Sequence, residues 1–462
     1  MGVTFAVGRP NSASLLALNY DPRVETLRDR TTAFRGARLR DLLREVGRSF
    51  GAVFTRRDCD ASEGVMLLSQ TDSFAMEPSG RIVRLDSMPH PERHRVCRWD
   101  VLISAAGQMD EGTLFGRCII ADQRLEGKYL GPDTIALRFV EPGSDLNLWV
   151  YAFLTSRTGL NAVKSCGYGT SIPRIRLDLL GALPVPLPDN EYLERVGRLI
   201  RIAAIKREEY AAHLRAARTL VMGLRESRLA LEKCGRRGAR CVVWRDELRT
   251  LGAWNYASAG EALSVLRRTW RHRVSDVIEE GGIFNGPRFA RVPCQAPHGI
   301  DFFSQRDVFL VRPMPRRIVR PSISDRQLFV PEGSLLVGGH GSLGEGEIFG
   351  RVVYVSPAMA RAGLTQDLLR IQPKATYAPV AYAFLSSELG FRLLRSTAVG
   401  TKLLTMRPDL LMALPFPELD ASGTAAVSSN VSQAMKALQQ ADAAEADATR
   451  IVEEEVLPQW LA

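Results

Sequence analysis

Apolar positions follow two different rules along this chain, and the rules alternate. Short apolar runs broken by Gly and Pro, at 101–104, 118–121, 134–139, 334–337, 351–355 and 367–371, predict strands. The stretches 37–46 and 272–280 carry a helical spacing and predict short helices, one opening each half. Segments beginning Tyr151-Ala-Phe-Leu and Tyr382-Ala-Phe-Leu predict helices that lead through a Gly-Thr turn to a second helix, stopped by Pro184/Pro186 and Pro415/Pro417.

Two longer segments contain almost no Pro or Gly, and their apolar residues stand alternately four and three apart. The first runs Val196, Ile200, Ala203, Arg207, Tyr210, Leu214, Ala217, Val221, Leu224; the second runs Val427, Val431, Ala434, Leu438, Ala441, Glu445, Ala448, Val452, Glu455. A period of 3.5 predicts a coiled-coil seam, which Arg207, Glu445 and Glu455 interrupt. The alternative is a pair of amphipathic helices, each packed on its own domain. Charge favours mutual pairing: 190–230 holds nine Lys/Arg against five Asp/Glu, and 424–457 holds two against six.

The second set of elements repeats the first. The 39 residues from Tyr151 lie without a gap over those from Tyr382, an offset of 231, with 18 identities where composition alone gives about two or three. Upstream the match thins, with Phe115-Gly116-Arg117 over Phe349-Gly350-Arg351, Asp41 over Asp276 and Asn19-Tyr20 over Asn255-Tyr256. Residues 48–100 and 286–330 share little sequence, so each half reads as a common frame with a private insert.

Composition narrows the function classes. The 462 residues are 45% hydrophobic and 24% charged, which fits two or three globular domains. Sixty-one Lys/Arg against 51 Asp/Glu gives +10, favouring an anionic partner. Seven scattered cysteines without a C-x-x-C pair fit neither a disulfide framework nor a zinc ribbon. No apolar run approaches a membrane span and the first residues lack a basic, then apolar leader, so a cytoplasmic location is expected. A P-loop, a G-x-S-x-G elbow and an Asn-Pro-Pro-aromatic tetrapeptide are missing, which points away from catalysis. The glycine-rich run 338–350 reads as a loop beside DNA or a plain hairpin turn, and His90 and His94, separated by Pro91, as a solvated loop.

Two globular halves, each closing with the pattern GTxxxxxRxDLLxALPxPxxD and then a long helix, resemble the specificity subunit of a type I restriction-modification enzyme. The pattern covers Gly169 to Asp189 and Gly400 to Asp420, and the family's upstream glycine-rich turn is similar to Gly107–Gly116 and Gly341–Gly350. The resemblance implies an α/β (α+β) fold: target recognition domains at 1–188 and 253–420, conserved helices at 189–231 and 421–462 forming an antiparallel coiled coil with pseudo-two-fold symmetry, and a linker at 232–252. It implies a non-catalytic reader of double-stranded DNA in phage defence, each domain reading half of a bipartite site. The helices would set the spacer and bind two modification subunits that use S-adenosylmethionine, with ATP and Mg where restriction subunits join. A standalone Mg-dependent nuclease with an unrecognised site is the alternative, and a protein-binding scaffold a third reading.

Within that reading the candidate DNA contacts in the first half are Arg56, Arg57, Arg81, Arg84, Lys128, Lys164, Thr170, Arg174 and Arg176. In the second half they are Arg288, Arg291, Arg316, Arg317, Arg320, His340, Ser342, Arg395, Thr401, Lys402 and Arg407. The inserts also carry Arg93, Arg95, Arg98 and Arg312, and about a third of the insert arginines are expected to touch DNA. Arg176 and Arg407 either contact phosphate or pair with Asp178 and Asp409. No metal site and no cofactor of the chain's own is expected.

Overall fold

A computed structural model describes residues 36–46, 54–109, 112–169, 171–234, 254–257 and 259–461, with Thr26 and Thr250. The Asn19-Tyr20 anchor, Thr170 and most of the 232–252 linker lie outside the described residues. The chain divides into two compact units, Met1–Glu209 with Ala437–Ala462, and Tyr210–Lys436.

In the first unit, β1 (Gly36–Arg38) and β2 (Leu43–Val46) stand where the helical spacing of 37–46 predicted a helix. β3 (Val65–Leu68), β4 (Arg81–Val83), β5 (Val101–Ser104), β6 (Cys118–Ile120), β7 (Tyr129–Leu130), β8 (Thr134–Phe139), β9 (Gly167–Tyr168), β10 (Arg174–Ile175) and β11 (Pro184–Pro186) follow. The expected helix is reduced to the 3-10 turn Leu39–Leu42 because both ends of that stretch have strand partners. β1 pairs with the proline segment β11, β2 pairs with β8, and Leu39 between them enters the core. Long-range pairing outweighs a local helical stripe. The main sheet has the order β2-β8-β5-β6 and a smaller one β4-β3-β7.

The Tyr151 helix, Asp145–Thr155, is capped by Ser144 and is buried from Asn147 to Leu154. Trp149 donates its indole N–H to the carbonyl of Pro186 at 2.8 Å, fastening this helix to the proline strand. Around it gather Val101, Ile135, Val196 and Ile200, but also Ala448, Ile451, Val452, Val456, Leu457 and Trp460. Residues from near position 450 thus complete the core of the N-terminal domain.

The second unit repeats this plan. β12 (Ile278–Asn285), β13 (Ile300–Phe303), β14 (Arg316–Ile318), β15 (Leu335–Gly338), β16 (His340–Gly341), β17 (Val352–Tyr354), β18 (Gly363–Leu364), β19 (Leu368–Pro373), β20 (Ala398–Gly400) and β21 (Leu404–Met406) form sheets ordered β12-β19-β15-β17, β14-β13-β18 and β16-β21-β20. The helix expected over 272–280 is one turn, Val274–Val277, before β12 begins. β12, like β2, meets its partner across a register shift.

The inserts, dissimilar in sequence, share this topology. In each, an antiparallel hairpin (β3/β4, β13/β14) adds a third strand in parallel (β7, β18). The structure also shows a short match missed in the sequence, Ser69-Gln70-Thr71-Asp72-Ser73-Phe74 over Ser304-Gln305-Arg306-Asp307-Val308-Phe309, immediately after β3 and β13. In both, the aspartate accepts from the serine backbone N–H, at 2.8 and 2.9 Å, and fixes the turn.

The long segments are helices over Asn190–Met222 and Ala421–Arg450. Seam positions Val196, Ile200, Ala203, Tyr210, Leu214, Ala217, Val221, Val427, Val431, Leu438 and Val452 are buried. Leu224 is not a seam residue, because the first helix ends at Met222 and Leu224 caps the next, Arg225–Lys233. Nor does the second seam run to Glu455. A π-helical turn, Ile451–Val456, inserts an extra residue per turn, so Val456 takes the buried place and Glu455 turns outward to Arg195, 3.2 Å away. The two central interruptions are one feature: Arg207 and Glu445 are both buried, ion-paired, and joined by the Tyr151 hydroxyl, which donates to Glu445.

Candidate nucleic-acid interface

Each unit brings together three segments that are far apart in sequence. β9 and β10 form a hairpin whose turn carries Gly169 at φ +91°, and β20 and β21 form its counterpart with Gly400 at φ +118°. These positive φ values are readily adopted only by glycine and close the turns where the Gly-Thr pairs stand. The glycine-rich segment joins the hairpin edge: Ala106 bridges Arg174 in the first unit, and in the second β16 pairs His340 with Thr405 and Gly341 with Leu404. So the run 338–350 is the connection of the β15/β17 hairpin, held against the Gly-Thr turn.

The third segment is the shared Ser-Gln-x-Asp turn. Gln70 accepts from the Ala106 N–H at 3.3 Å, and Gln305 accepts from the His340 N–H at 3.2 Å while donating to the His340 carbonyl at 2.8 Å. One amide in each insert therefore ties it to the loop of the common frame. Neither glutamine was singled out from the sequence. The signal was four identities in six residues at an offset of 235, outside the gapless block.

The predicted cations divide by their contacts. Arg56, Arg288, Arg316 and Lys402 are exposed, without an ion pair among the described residues, and Arg57 lies exposed near Asp86. Thr401 and Ser342 are exposed beside Lys402 and the glycine loop, and His340 is half-buried, 3.9 Å from Asp367. Arg81 pairs with Asp58, Arg84 with Asp86, Arg174 with Asp133, Arg317 with Asp301 and Arg320 with Asp325, all on the surface. Arg98 pairs with Glu208 at 2.8 Å.

Arg176 and Arg407 pair with Asp178 and Asp409. Their Nε–H groups donate to Asp178 and Asp409 at 3.0 and 2.9 Å, at the start of the helices Leu177–Gly181 and Pro408–Met412. These bonds hold both carboxyls below the ordinary 3.8.

Several candidates are braces. Arg395 is buried and donates to the carbonyls of Leu343, Gly344 and Phe349, with its guanidinium 4.0 Å from the Phe391 ring centre. Burial pushes it down to about 10, and its work is to hold the glycine loop. Lys128 donates to the Arg124 carbonyl, Lys164 is half-buried against Gly116, and Arg291 donates to Thr365 and Gln366. Arg370, flagged by nothing in the sequence, is buried with its charge on the carbonyls of Leu364 and Leu368, supporting that same loop.

His94 departs from expectation. Pro91 starts one helical turn, Pro91–His94, where a first-turn proline lacks only an N–H that would be unbonded anyway, and His90 stands outside it at φ +51°, so the two histidines do not share a helix face. His94 is buried, and burial lowers its pKa. Among the described residues no three His, Cys, Asp or Glu are grouped to hold a metal, and no helix is long and apolar enough to cross a membrane.

No family model and no curated protein matches the chain. Among solved structures, the S subunit of a type I restriction-modification system from M. genitalium aligns over 92% of this chain and 95% of its own, at 11% identity and a TM-score of 0.32. The HsdS subunit from Thermoanaerobacter tengcongensis aligns over 92% and 96%, at 16% identity and a TM-score of 0.27. Likenesses this distant leave the function to be argued from the chain's own residues.

Proposed function

We propose that the chain is the non-catalytic DNA-recognition subunit of a type I restriction-modification system. Each domain, within 1–188 and 253–420, reads one half of a bipartite asymmetric site. The helices within 189–231 and 421–462 pair antiparallel about a pseudo-two-fold axis, set the spacer and dock two modification subunits that carry S-adenosylmethionine.

The observation that carries this reading is one plan built twice with unlike surfaces. Both units present a glycine loop, a Gly-Thr hairpin and an amide-anchored insert, yet the exposed cations differ: Arg56 and Arg57 on one, Arg288, Arg316 and Lys402 on the other. Equal frames with unequal contact surfaces suit an asymmetric sequence, with phosphate contacts for position and base contacts for identity. Antiparallel pairing is supported by Arg195 with Glu455 and Arg207 with Glu445, where one number rises as the other falls. It is supported again by the repeat-equivalent tyrosines. Tyr151 bonds Glu445 of the C-terminal helix, and Tyr382 bonds Tyr210 of the central helix at 3.1 Å, so each reaches the helix that follows the other domain.

Exchanging residues 48–140 with 286–372 tests the reading. Methylome sequencing of a host carrying the exchanged chain with its neighbouring subunits should show the two half-sites transposed. An unchanged methylated sequence would place specificity outside the inserts.

A further inference from the structure

The two most exposed large aliphatic side chains of the Gly-Thr hairpins occupy the same place in the repeat. Ile172 is 65% exposed and Leu403 is 74% exposed, and they stand 231 residues apart. A single exposed aliphatic is ordinary on a protein surface. Two at one repeat position, each at the tip of a hairpin, are a shared feature of the frame.

The tips keep the same alternation beneath them. Pro173 and Leu404 are buried directly after the exposed residue, and Ile175 and Met406 two residues further on, so Ile172 and Leu403 are held outward by a firmly seated strand. One cation stands near each: Arg174, ion-paired with Asp133, in the first unit, and Lys402, beside Leu403, in the second. One aliphatic side chain on a narrow, basic tip offers far too little area for a stable protein interface, which needs roughly 800 Å² per partner. It matches the wedge by which DNA-binding proteins part a base step, an apolar side chain carried beside a cation.

We propose that Ile172 and Leu403 insert into duplex DNA as paired wedges, one in each half-site, partly unstacking a base step. The inference rests on the DNA-recognition reading. Because both residues belong to the common frame and not to the inserts, their contribution is independent of sequence and adds to the deformation the duplex undergoes.

Plasmid unwinding tests this without knowledge of the target. The full chain is bound at low ionic strength to a relaxed circular plasmid, treated with topoisomerase, and the linking number is read after deproteinisation. The wild-type chain should lower the linking number in proportion to bound protein. The double variant Ile172→Ser/Leu403→Ser, with an unchanged melting profile, should bind within about twofold yet lose most of the unwinding, since phosphate contacts dominate affinity. Ile172→Leu/Leu403→Ile should restore it. Equal unwinding by the serine variant overturns the proposal while leaving DNA recognition intact. So does a serine variant that unwinds normally but no longer co-purifies with a co-expressed modification subunit, which would make the tips a protein contact. Failure of the wild-type chain to bind DNA at all overturns the recognition reading itself.

Discussion

The guanidinium of Arg207 and the carboxylate of Glu445 form a buried ion pair between the two long helices, with Arg207 1% and Glu445 2% exposed. Burial alone would pull the arginine pKa down, but Glu445, Tyr151 and Asp442 outweigh it and hold the charge firmly on. The Nε of Arg207 finds no hydrogen-bond partner among the described residues, so the pair is incompletely satisfied. Such pairs add little net stability over a well-packed apolar replacement, whereas losing one partner strands a charge.

Arg207→Leu or Glu445→Leu alone should therefore destabilise the first unit by about 3–5 kcal/mol, and the double variant should recover most of that loss. Calorimetry of the three variants checks this. Additive losses would show that the two groups do not act as a pair.

Trp460 is 7% exposed in the core of the N-terminal domain. Trp460→Ala should lower the melting of the first unit by about 3–5 kcal/mol and leave the second unit unaffected. Proteolysis followed by peptide mapping locates the loosened unit. Digestion starting within 254–436 would contradict the assignment.

Lys402 is exposed at the tip of the second hairpin. Lys402→Ala should weaken binding on all sequences alike and reduce the slope of log affinity against log salt by about one. A changed base preference at constant slope would make Lys402 a base reader.

Removing Arg207–His213 together with Gln439–Glu445 deletes one heptad from each long helix and both members of the buried pair. Leu214 and Leu438, opposite each other in the register of that pair, then form the layer next to Ile200 and Val452, and the rod shortens by about 10 Å, or roughly three base pairs. The half-site sequences should persist while the methylated spacer shortens. An intact, active complex with the old spacer would mean that the helices are not the ruler.

Cys234 is half-buried, and burial pushes its thiol up to about 11, whereas Cys97 is exposed. The thiolate is the reactive form, so alkylation near pH 8 should label Cys97 well before Cys234, with Cys234 catching up only as pH nears 11. Peptide mass mapping at several pH values reads the order directly.

The strands at 101–104 and 134–139 were legible because short apolar runs bounded by glycine and proline are local signals, whereas the Gly-Thr turn, read as a link between two helices, closes a β-hairpin in each unit. Of the 37–46 stretch only the helical turn at 39–42 was legible, since the strand character of its ends comes from β8 and β11, more than 90 residues away. The insert match from Ser69 to Phe74 escaped because only a turn and one amide contact are shared between surfaces that otherwise differ. At the seam, Arg207 and Glu445 read as two separate defects, because a buried charge looks like an error until its partner is known. Of the candidate cations, Arg395 was misleading for a general reason: sequence shows a positive charge but not the carbonyls that absorb it.

Duplication leaves a chain with two kindred helices, and kin are apt to mate with their own kind. Arg207 and Leu438 are repeat equivalents, as are Leu214 and Glu445. If two central helices from neighbouring molecules met in the observed register, Arg207 would face Leu214, and two C-terminal helices would set Glu445 against Leu438. Either union buries a lone charge. Only the mixed marriage neutralises both, and since the two helices travel on one chain, each molecule carries its own legitimate spouse. Divergence at two repeat positions, 207/438 and 214/445, thus leaves the charge pair complete only where the two unlike helices meet.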